Sequence, residues 1–311
     1  MSGALVDLVS KGVQDAYITG DPQVSFFRQN YKRHTNFAMR PEELNYIGTF
    51  EANNEVTIKI PSKGDLLSYV WIEAAGIRSA NATNTSGILS DDDSTLFEFS
   101  LYIGGQPVVR FDSLYVQGVH ELLYRNNQGR ASCAGTTNTI KSNALGYSGA
   151  AVSDYLMLPF FFGEDWTKVL PLVALQYHEV EIRIKCRGNF TAGSTPKVWG
   201  NFMYVDTAER DFFVNTDHEL LIEQVQHTLA SNTDTDFDLT YFNHPVKAVH
   251  LVSGQGSGST WATEYNFRDS SFYINGTTLF DSTSNTYHHN VVHEMHCEAI
   301  PDDTLNKQPT F

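Results

Sequence analysis

The sequence is poor in cysteine and in basic residues. Its 311 residues include 3 cysteines, a sparse and odd set that does not suit a disulfide framework, so we expect a reducing compartment such as the cytoplasm. Lys and Arg total 21 against 36 Asp and Glu, which gives a formal net charge of −15. Because an acidic surface repels phosphate backbones, we predict that the chain does not bind nucleic acid directly.

Long apolar runs and catalytic motifs are also missing. No run approaches the ~18 apolar residues that a transmembrane helix needs. Asp7, Lys11 and Asp15 interrupt the first apolar stretch, so we expect no signal peptide. No Gly-x-Ser-x-Gly nucleophile motif occurs, and the glycine-rich stretch at 254–258 is not followed by the helical pattern of a phosphate-binding loop. We therefore expect neither an enzyme nor a bound cofactor.

Aromatic and turn-forming residues, in contrast, are abundant. The chain contains 20 Phe, 15 Tyr and 22 Gly, which favour strands and tight turns. Residues 56–60 and 180–186 alternate apolar and polar side chains, which predicts half-buried strands. Asn275-Gly276 between two short apolar runs predicts a β-hairpin. Many short strands separated by polar loops indicate an all-β protein of the sandwich or barrel class.

The pattern divides the chain into three parts. Residues 1–37 form an N-terminal arm, in which short helical turns precede aromatic and basic residues; packing on its own domain and contact with a neighbouring subunit both suit it. Residues 38–225 form a first β unit that ends in a charged junction, where 220–222 have the composition of a further strand. In residues 226–311 the strand pattern restarts, with strands predicted at 237–241 and 246–252.

A histidine-rich stretch near residue 290 is a weak candidate metal site. His289, His293, His296 and Cys297 are ligand types for zinc or copper, and a helix would place the three histidines on one face. The stretch lacks the spacing of the zinc-protease motif H-E-x-x-H, and we expect strand and loop here, which would scatter the side chains. We therefore predict no metal site, and interpret the histidines as lining a loop or a subunit contact.

Several stretches resemble the major capsid proteins of nucleocytoplasmic large DNA viruses. The opening LVSKGVQDAYITGDPQVSFF at 8–27 and the following YKRHTNFA at 31–38 resemble the N-terminal signature of that family. Further matches follow in the family's order, late in its first domain, at the crossing between its two domains and at the start of the second. These later matches are residues 170–180, 206–210, 218–224 and 242–247.

The resemblance implies a fold of two tandem jelly-roll β-sandwiches, a double jelly roll. The second jelly roll, in 226–311, is incomplete in this sequence by comparison with the first. In the family, a segment similar to 308–311 is followed by further strands. We therefore expect the native product to continue past Phe311, or the missing strands to come from another chain. Polar stretches at 78–95, 131–150 and 253–260 would form loops on the outer surface of the shell.

The resemblance also implies a function without catalytic residues. Three chains of the family form a pseudo-hexagonal capsomer of an icosahedral shell, so the expected partners are two further copies, neighbouring capsomers, minor capsid proteins and an internal membrane. The expected location is the virion, after synthesis in the host cytoplasm. The arm would lie on the inner side of the shell. Its candidate contact residues are Tyr17, Phe26, Phe27, Arg28, Tyr31 and Arg33.

The alternative from another class is a jelly-roll carbohydrate-binding protein or a cupin-like protein. A cupin needs His pairs and a Glu at defined spacing on barrel strands, and the sequence has no such set. A lectin needs aromatic platforms beside a sugar groove, whereas the tryptophans at 71, 166, 199 and 261 are isolated along the chain.

Overall fold

The computed structural model describes residues 3–74, 97–113, 115–120, 154–188, 190, 194–228, 235–251 and 267–297. The chain separates into two compact units, Met1–Asn36 and Phe37–Phe311. The loops predicted at 78–95, 131–150 and 253–260 lie outside the described residues. Within the described part of the chain, no helix is both long enough and apolar enough to cross a bilayer.

The first unit contains two short helices. Helix α1 spans Gly3–Val9 and helix α2 spans Ala16–Thr19. Between them, the Asp15 carboxylate accepts a hydrogen bond of 2.8 Å from the backbone N–H of Gly12. Neither helix has a buried residue, as expected for an amphipathic segment too short to build its own core.

The second unit begins with two antiparallel sheets. Their strands are β1 Phe37–Leu44, β2 Tyr46–Ile47, β3 Glu55–Lys59, β4 Leu66–Ala74, β5 Glu98–Ile103, β6 Gln106–Asp112, β7 Asp154–Met157, β8 Val180–Lys185 and β9 Lys197–Val205. One sheet has four strands in the order β1-β9-β4-β7, and the other has five in the order β2-β3-β8-β5-β6. The half-buried strands predicted at 56–60 and 180–186 are confirmed as β3 and β8.

The strand order is that of a jelly roll. The first strand, β1, pairs with the last strand, β9, from Phe37 opposite Val205 to Leu44 opposite Val198. Strand β3 pairs with β8, and β4 pairs with both β7 and β9. Because the chain passes repeatedly from one sheet to the other, most neighbours within a sheet are distant in sequence, which is the double-sheet jelly-roll arrangement.

The core lies between the two sheets. The inward residues of the five-stranded sheet are buried, and three of them, Val56, Ile58 and Ile184, have no solvent exposure. Aromatic rings fill the interior near β5: the Phe99 ring lies 5.5 Å from that of Phe111, which lies 5.2 Å from that of Phe160. Burial of such side chains stabilises a fold by about 1.5–3 kcal/mol each, so this cluster is a principal source of stability.

A helix follows the sandwich. Helix α3 spans Thr207–Asn215, and the Asp206 side chain caps its start by accepting a 2.7 Å hydrogen bond from the N–H of Thr207. The strand predicted at 220–222 is wrong, since these residues have no β partner. Instead Ile222 packs against the core of the sandwich, and the Gln224 side chain donates to the Val108 carbonyl. Of the three apolar residues, Ile222 packs on the core, whereas Leu221 is 89% exposed.

The strands predicted at 237–241 and 246–252 are also wrong for the described residues, which end at 251 here. The backbone N–H of Phe242 bonds to the carbonyl of Leu239, and the N–H of Thr240 bonds to the Asp238 carboxylate at 3.0 Å. Such local bonds compete with a strand ladder. An isolated bridge residue, His250, is the remaining β feature of the segment.

The predicted hairpin is confirmed. Strand β10, Asp269–Ile274, pairs with β11, Thr277–Ser284. Between them Asn275 has φ 50° and Gly276 has φ 76°, and a two-residue type I′ turn requires positive φ at both positions.

A helical segment follows the hairpin. A π-helical stretch, Tyr287–Val291, continues directly into α4, Val292–His296. The expectation of strand and loop for the histidine-rich stretch is therefore wrong. Helical geometry lets His288, Val292 and His293 be buried together on one side of the segment, whereas a strand would separate adjacent residues on opposite faces.

Candidate interaction surfaces

The outer face of the five-stranded sheet is charged. The Lys59 ammonium binds the carboxylates of Glu179 and Glu181. The Arg183 guanidinium binds Glu181 at 2.9 Å and lies 4.3 Å from the centre of the Tyr102 ring. The hydrogen bond from Arg183 is the main reason why the pKa of Glu181 is lowered. This ladder of paired charges is typical of a sheet face in contact with water.

The outer face of the four-stranded sheet is aromatic instead. Trp71 and Trp199 are opposite each other on β4 and β9, and their rings stack with 6.2 Å between centres. Tyr69 extends the row, 5.6 Å from Trp71. At the start of the edge strand β1, the ring of Phe37 meets that of Trp166 edge to face, with 5.8 Å between the ring centres. Trp166 remains 61% exposed. An outward aromatic face of this kind is suited to contact with another protein surface.

Helix α3 covers one end of this face. Phe213 of α3 packs with Val205 against a small cluster of buried residues, namely Leu66, Val169 and Met203. The helix that leaves the first sandwich is thus part of its outer layer.

The candidate contact residues of the arm are exposed. Phe26 and Phe27 have exposures of 96% and 97%, and Tyr17 and Tyr31 are similarly open to solvent. Arg28 and Arg33 are exposed as well. Exposed aromatic side chains beside cationic ones are typical of surfaces that bind another protein. That these six residues make contacts in the capsid stays a prediction.

The metal candidates occupy different environments. His293 is fully buried, and its Nδ1 hydrogen-bonds to the carbonyl oxygen of His289 at 2.7 Å. His296 is exposed, and the Cys297 thiol is half-buried with a raised pKa caused by burial. Among the residues that the structure describes, no group of three or more His, Cys, Asp or Glu side chains is placed to hold a metal ion. The structure therefore does not bring the four candidates together as ligands.

Two residues that interact with the histidine-rich stretch could not be found from the sequence. His250 lies in the segment before the hairpin, and its pKa is lowered by burial and, to a smaller extent, by the nearby His293. Ser270 of β10 hydrogen-bonds through its hydroxyl to Nε2 of His288 at 2.9 Å. Neither is close in sequence to the histidine-rich stretch, and no motif connects them with it. The Ser270 contact depends on how the hairpin packs on the helical segment.

The sequence of this chain is similar to those of known proteins. The family described as major capsid protein N-terminus matches residues 25–215. The chain is 31% identical to the major capsid protein of Pyramimonas orientalis virus, over 97% of this chain and 78% of that protein. It is 32% identical to the major capsid protein of Paramecium bursaria Chlorella virus 1, over 79% of this chain and 60% of that protein.

Solved structures show the same fold. The "PBCV-1 virus capsid, quasi-atomic model" aligns with a TM-score of 0.68 and 24% identity, over 92% of this chain and 80% of the matched chain. The Faustovirus major capsid protein aligns with a TM-score of 0.53 and 10% identity, over 97% of this chain and 86% of the matched chain. The predicted double jelly-roll fold is confirmed.

Fold and outer faces together define a structural building block of the jelly-roll capsid class. The chain belongs to the major capsid protein family of large DNA viruses. It spans 60% of the length of the Chlorella virus relative, and 49% of that of capsid protein 1 of Acanthamoeba polyphaga mimivirus. The resemblance to this family, which the sequence motifs indicated, is confirmed.

Proposed function

We propose that this chain is a structural subunit of an icosahedral virus shell and acts as a homotrimer, the pseudo-hexagonal capsomer. The observation that carries the proposal is the jelly-roll strand order together with the match of 25–215 to the capsid family. Two jelly rolls per chain give a six-cornered outline only if three chains associate around a threefold axis. The role is non-catalytic, the chain is made in the host cytoplasm, and its final location is the virion.

The proposal also divides the chain into three parts. Residues 1–37 are the arm, 38–225 the first jelly roll with its junction, and 226–311 the part of the second jelly roll present in this sequence. The change of compact unit between Asn36 and Phe37 supports the first boundary. Helix α3 and the segment after it, which packs Ile222 on the core, support assignment of the junction to the first jelly roll.

The two outer faces of the first sandwich differ in chemistry, so we expect them to have different surroundings in the capsomer. The charged face suits solvent, whereas the face with Trp71, Trp199 and Trp166 suits contact with a protein surface. A carbohydrate-binding role is the weaker alternative. Trp71 and Trp199 stack on each other and so leave less ring surface free for a sugar than an open platform would.

Light scattering combined with electron microscopy tests the assembly. Protein purified at neutral pH should have a mass about three times 34.8 kDa and should appear as six-cornered particles. A chain that stays monomeric at high concentration while its sandwich is fully folded would contradict the proposed capsomer.

The arm is proposed to contact minor capsid proteins on the inner side of the shell, with the internal membrane as a further partner. A variant with Phe26→Ser and Phe27→Ser removes two side chains that are 96% and 97% exposed. It should still trimerise but should lose binding to minor capsid proteins extracted from the parent particle. Tyr177→Ser is the matched control, since Tyr177 is 89% exposed on the first sandwich. Equal binding by both variants would contradict the assignment.

A further inference from the structure

A row of side chains crosses all four strands on the outer face of the four-stranded sheet. Trp199 of β9 lies between Glu43 of β1 and Trp71 of β4. Met157 of β7 continues the row on the other side of Trp71. The neighbouring residue Ile72 is fully buried, and because successive side chains of a strand alternate between faces, the row points outward. Two indoles and a thioether make its centre apolar.

Further apolar side chains extend this row into a broad surface. Its accessible members include Met39, which is 45% exposed, and Trp166, which is 61% exposed. From strand spacing and rise, the sheet beneath it covers roughly 400–500 Å². That is a large part of the ~800 Å² that each partner buries in a stable interface. We call this surface the aromatic face, and its members are Phe37, Met39, Tyr69, Trp71, Trp166 and Trp199.

The chain itself continues along a different side of the first sandwich. The Gln224 side chain donates a 2.7 Å hydrogen bond to the Val108 carbonyl, and Nε2 of His227 lies 3.9 Å from the Asp112 carboxylate. Val108 and Asp112 both belong to β6, the edge strand of the five-stranded sheet. The described residues after α3 therefore follow that edge and leave Trp166 open to solvent.

A ring of three identical chains needs two different contact surfaces on each chain, because its interfaces are heterologous. Since the β6 edge is occupied by the chain itself, the two outer sheet faces are the broad surfaces of the first sandwich that a neighbour can reach. Interface cores are depleted in charged residues and enriched in Trp, Tyr and Met. Burial of the Lys59 and Arg183 ion pairs on the charged face would also cost desolvation energy. These criteria select the aromatic face.

The charge distribution favours the same surface. The chain has a net charge of −15, so copies of it repel one another on average. Among the described side chains of the four-stranded sheet's outer face, the charged ones are Glu43 on the edge strand and the directly opposed Glu73 and Lys197. The Glu73 carboxylate also accepts a 2.8 Å hydrogen bond from the Trp71 indole. A contact through this nearly neutral face therefore adds little repulsion.

We propose that the aromatic face is the surface through which the first jelly roll binds a second copy of this chain, with Trp166 as its exposed anchor. The inference rests on the proposed homotrimer and names the surface that holds it together. The aromatic face of one copy meets a different surface of the next, and threefold repetition closes the ring. Trp166 begins the short 3-10 turn Trp166–Lys168 at the border of the face, and a protruding tryptophan is typical of an interface hot spot.

The double substitution Met39→Glu and Trp166→Glu tests this surface in the full chain. Both side chains are exposed, so the new carboxylates leave the sandwich folded, which an unchanged denaturation midpoint verifies. In the trimer, however, the carboxylates would be buried against a neighbour without partners. We expect the concentration at which half of the protein is trimeric, measured by light scattering, to rise at least ~30-fold, the effect of losing one interface hot spot.

Tyr177→Glu is the matched control for the added charge. It places a carboxylate at an aromatic position of the first sandwich that is 89% exposed and lies outside the aromatic face, and it should leave trimer formation unchanged. Equal weakening by Tyr177→Glu would overturn the inference. A double variant that trimerises as tightly as the unmodified chain would also overturn it but leave the homotrimer intact. An unmodified chain that stays monomeric would overturn both.

Oxidative footprinting of the unmodified protein decides the case if the double variant does not fold. Hydroxyl radicals oxidise accessible indole rings, and the rate at Trp166 is read by mass spectrometry. A neighbour that covers the face should slow this oxidation ~10-fold in the trimer relative to the unfolded chain. Trp166 that reacts in the trimer nearly as fast as in the unfolded chain would overturn the inference. Equal protection in a monomeric fraction would overturn it too, because the chain would then cover its own face.

Discussion

The Arg210 guanidinium of α3 donates two hydrogen bonds to the Asp65 carboxylate, from Nε to Oδ1 at 2.8 Å and from Nη2 to Oδ2 at 3.0 Å. Asp65 stands just before β4, and its Oδ2 also accepts a bond of 2.9 Å from the N–H of Val205, the last residue of β9. One carboxylate therefore connects the beginning of β4, the end of β9 and the helix that follows. This arrangement sets the direction in which the chain leaves the first sandwich.

Arg210→Met should destabilise this junction. The substitution keeps a side chain of similar length but leaves the Asp65 carboxylate, whose side chain is 12% exposed, without its cationic partner. We expect a loss of about 1–3 kcal/mol in the free energy of unfolding, measured with a chemical denaturant. Arg110→Met is the control, because its pair with Glu98 is more exposed on both sides, and a loss under about 1 kcal/mol is expected there. Equal losses would contradict the special role of Arg210.

The contribution of the Asp65 carboxylate to stability should depend on pH. Burial on its own raises the pKa of Asp65, but the hydrogen bonds from Arg210 and from the Val205 N–H outweigh it, and the pKa lies below its usual value of 3.8. A lowered carboxyl pKa contributes stability above the unfolded value and loses it as the pH falls further. The difference in unfolding free energy between the unmodified chain and Asp65→Asn should therefore be constant above about pH 5 and shrink below about pH 4. A difference that grows in acid would contradict this assignment.

The aromatic core should be sensitive to truncation. Phe99 has no solvent exposure, and its ring contacts those of Phe97 and Phe111. Phe99→Ala removes this packing and leaves a cavity, so a loss of about 3–5 kcal/mol is expected in denaturant unfolding. Tyr177→Ala changes a side chain that is 89% exposed and should stay within about 0.5 kcal/mol of the unmodified protein. A loss below about 1 kcal/mol for Phe99→Ala would show that the core has been assigned wrongly.

The histidine-rich segment should bind no stoichiometric metal. Within the described residues His293 is engaged with the His289 carbonyl, and His296 faces solvent, which does not match the convergent ligand set that zinc requires. Elemental analysis of protein purified without an affinity tag and without added metal should find less than about one zinc, copper or iron per ten chains. One tightly held ion per chain would contradict the prediction.

Local sequence patterns predicted those elements whose side chains alternate or whose turn chemistry is specific. Strand β8 was predicted because Ile182 and Ile184 alternate with charged residues, and both are fully buried in the structure. The β10–β11 hairpin was predicted because Asn275-Gly276 tolerates positive φ. The three apolar residues at 220–222 offer no period, whereas residues 237–241 alternate apolar and polar side chains as a strand would, and yet do not form one. Their conformations depend on the surfaces they meet, on the core of the sandwich in the first case and on local hydrogen bonds in the second.

The sequence by itself determined the all-β character, the tandem organisation and, through the motifs at 8–27 and 170–180, membership of the capsid family. These properties are written in residues that are near one another in the chain, where period and turn chemistry act directly. Only the tertiary structure decided that Trp71 stacks on Trp199 and that Asp65 holds Arg210. Each of those pairs is separated by dozens of residues, and they meet because a jelly roll places strands from distant parts of the chain side by side.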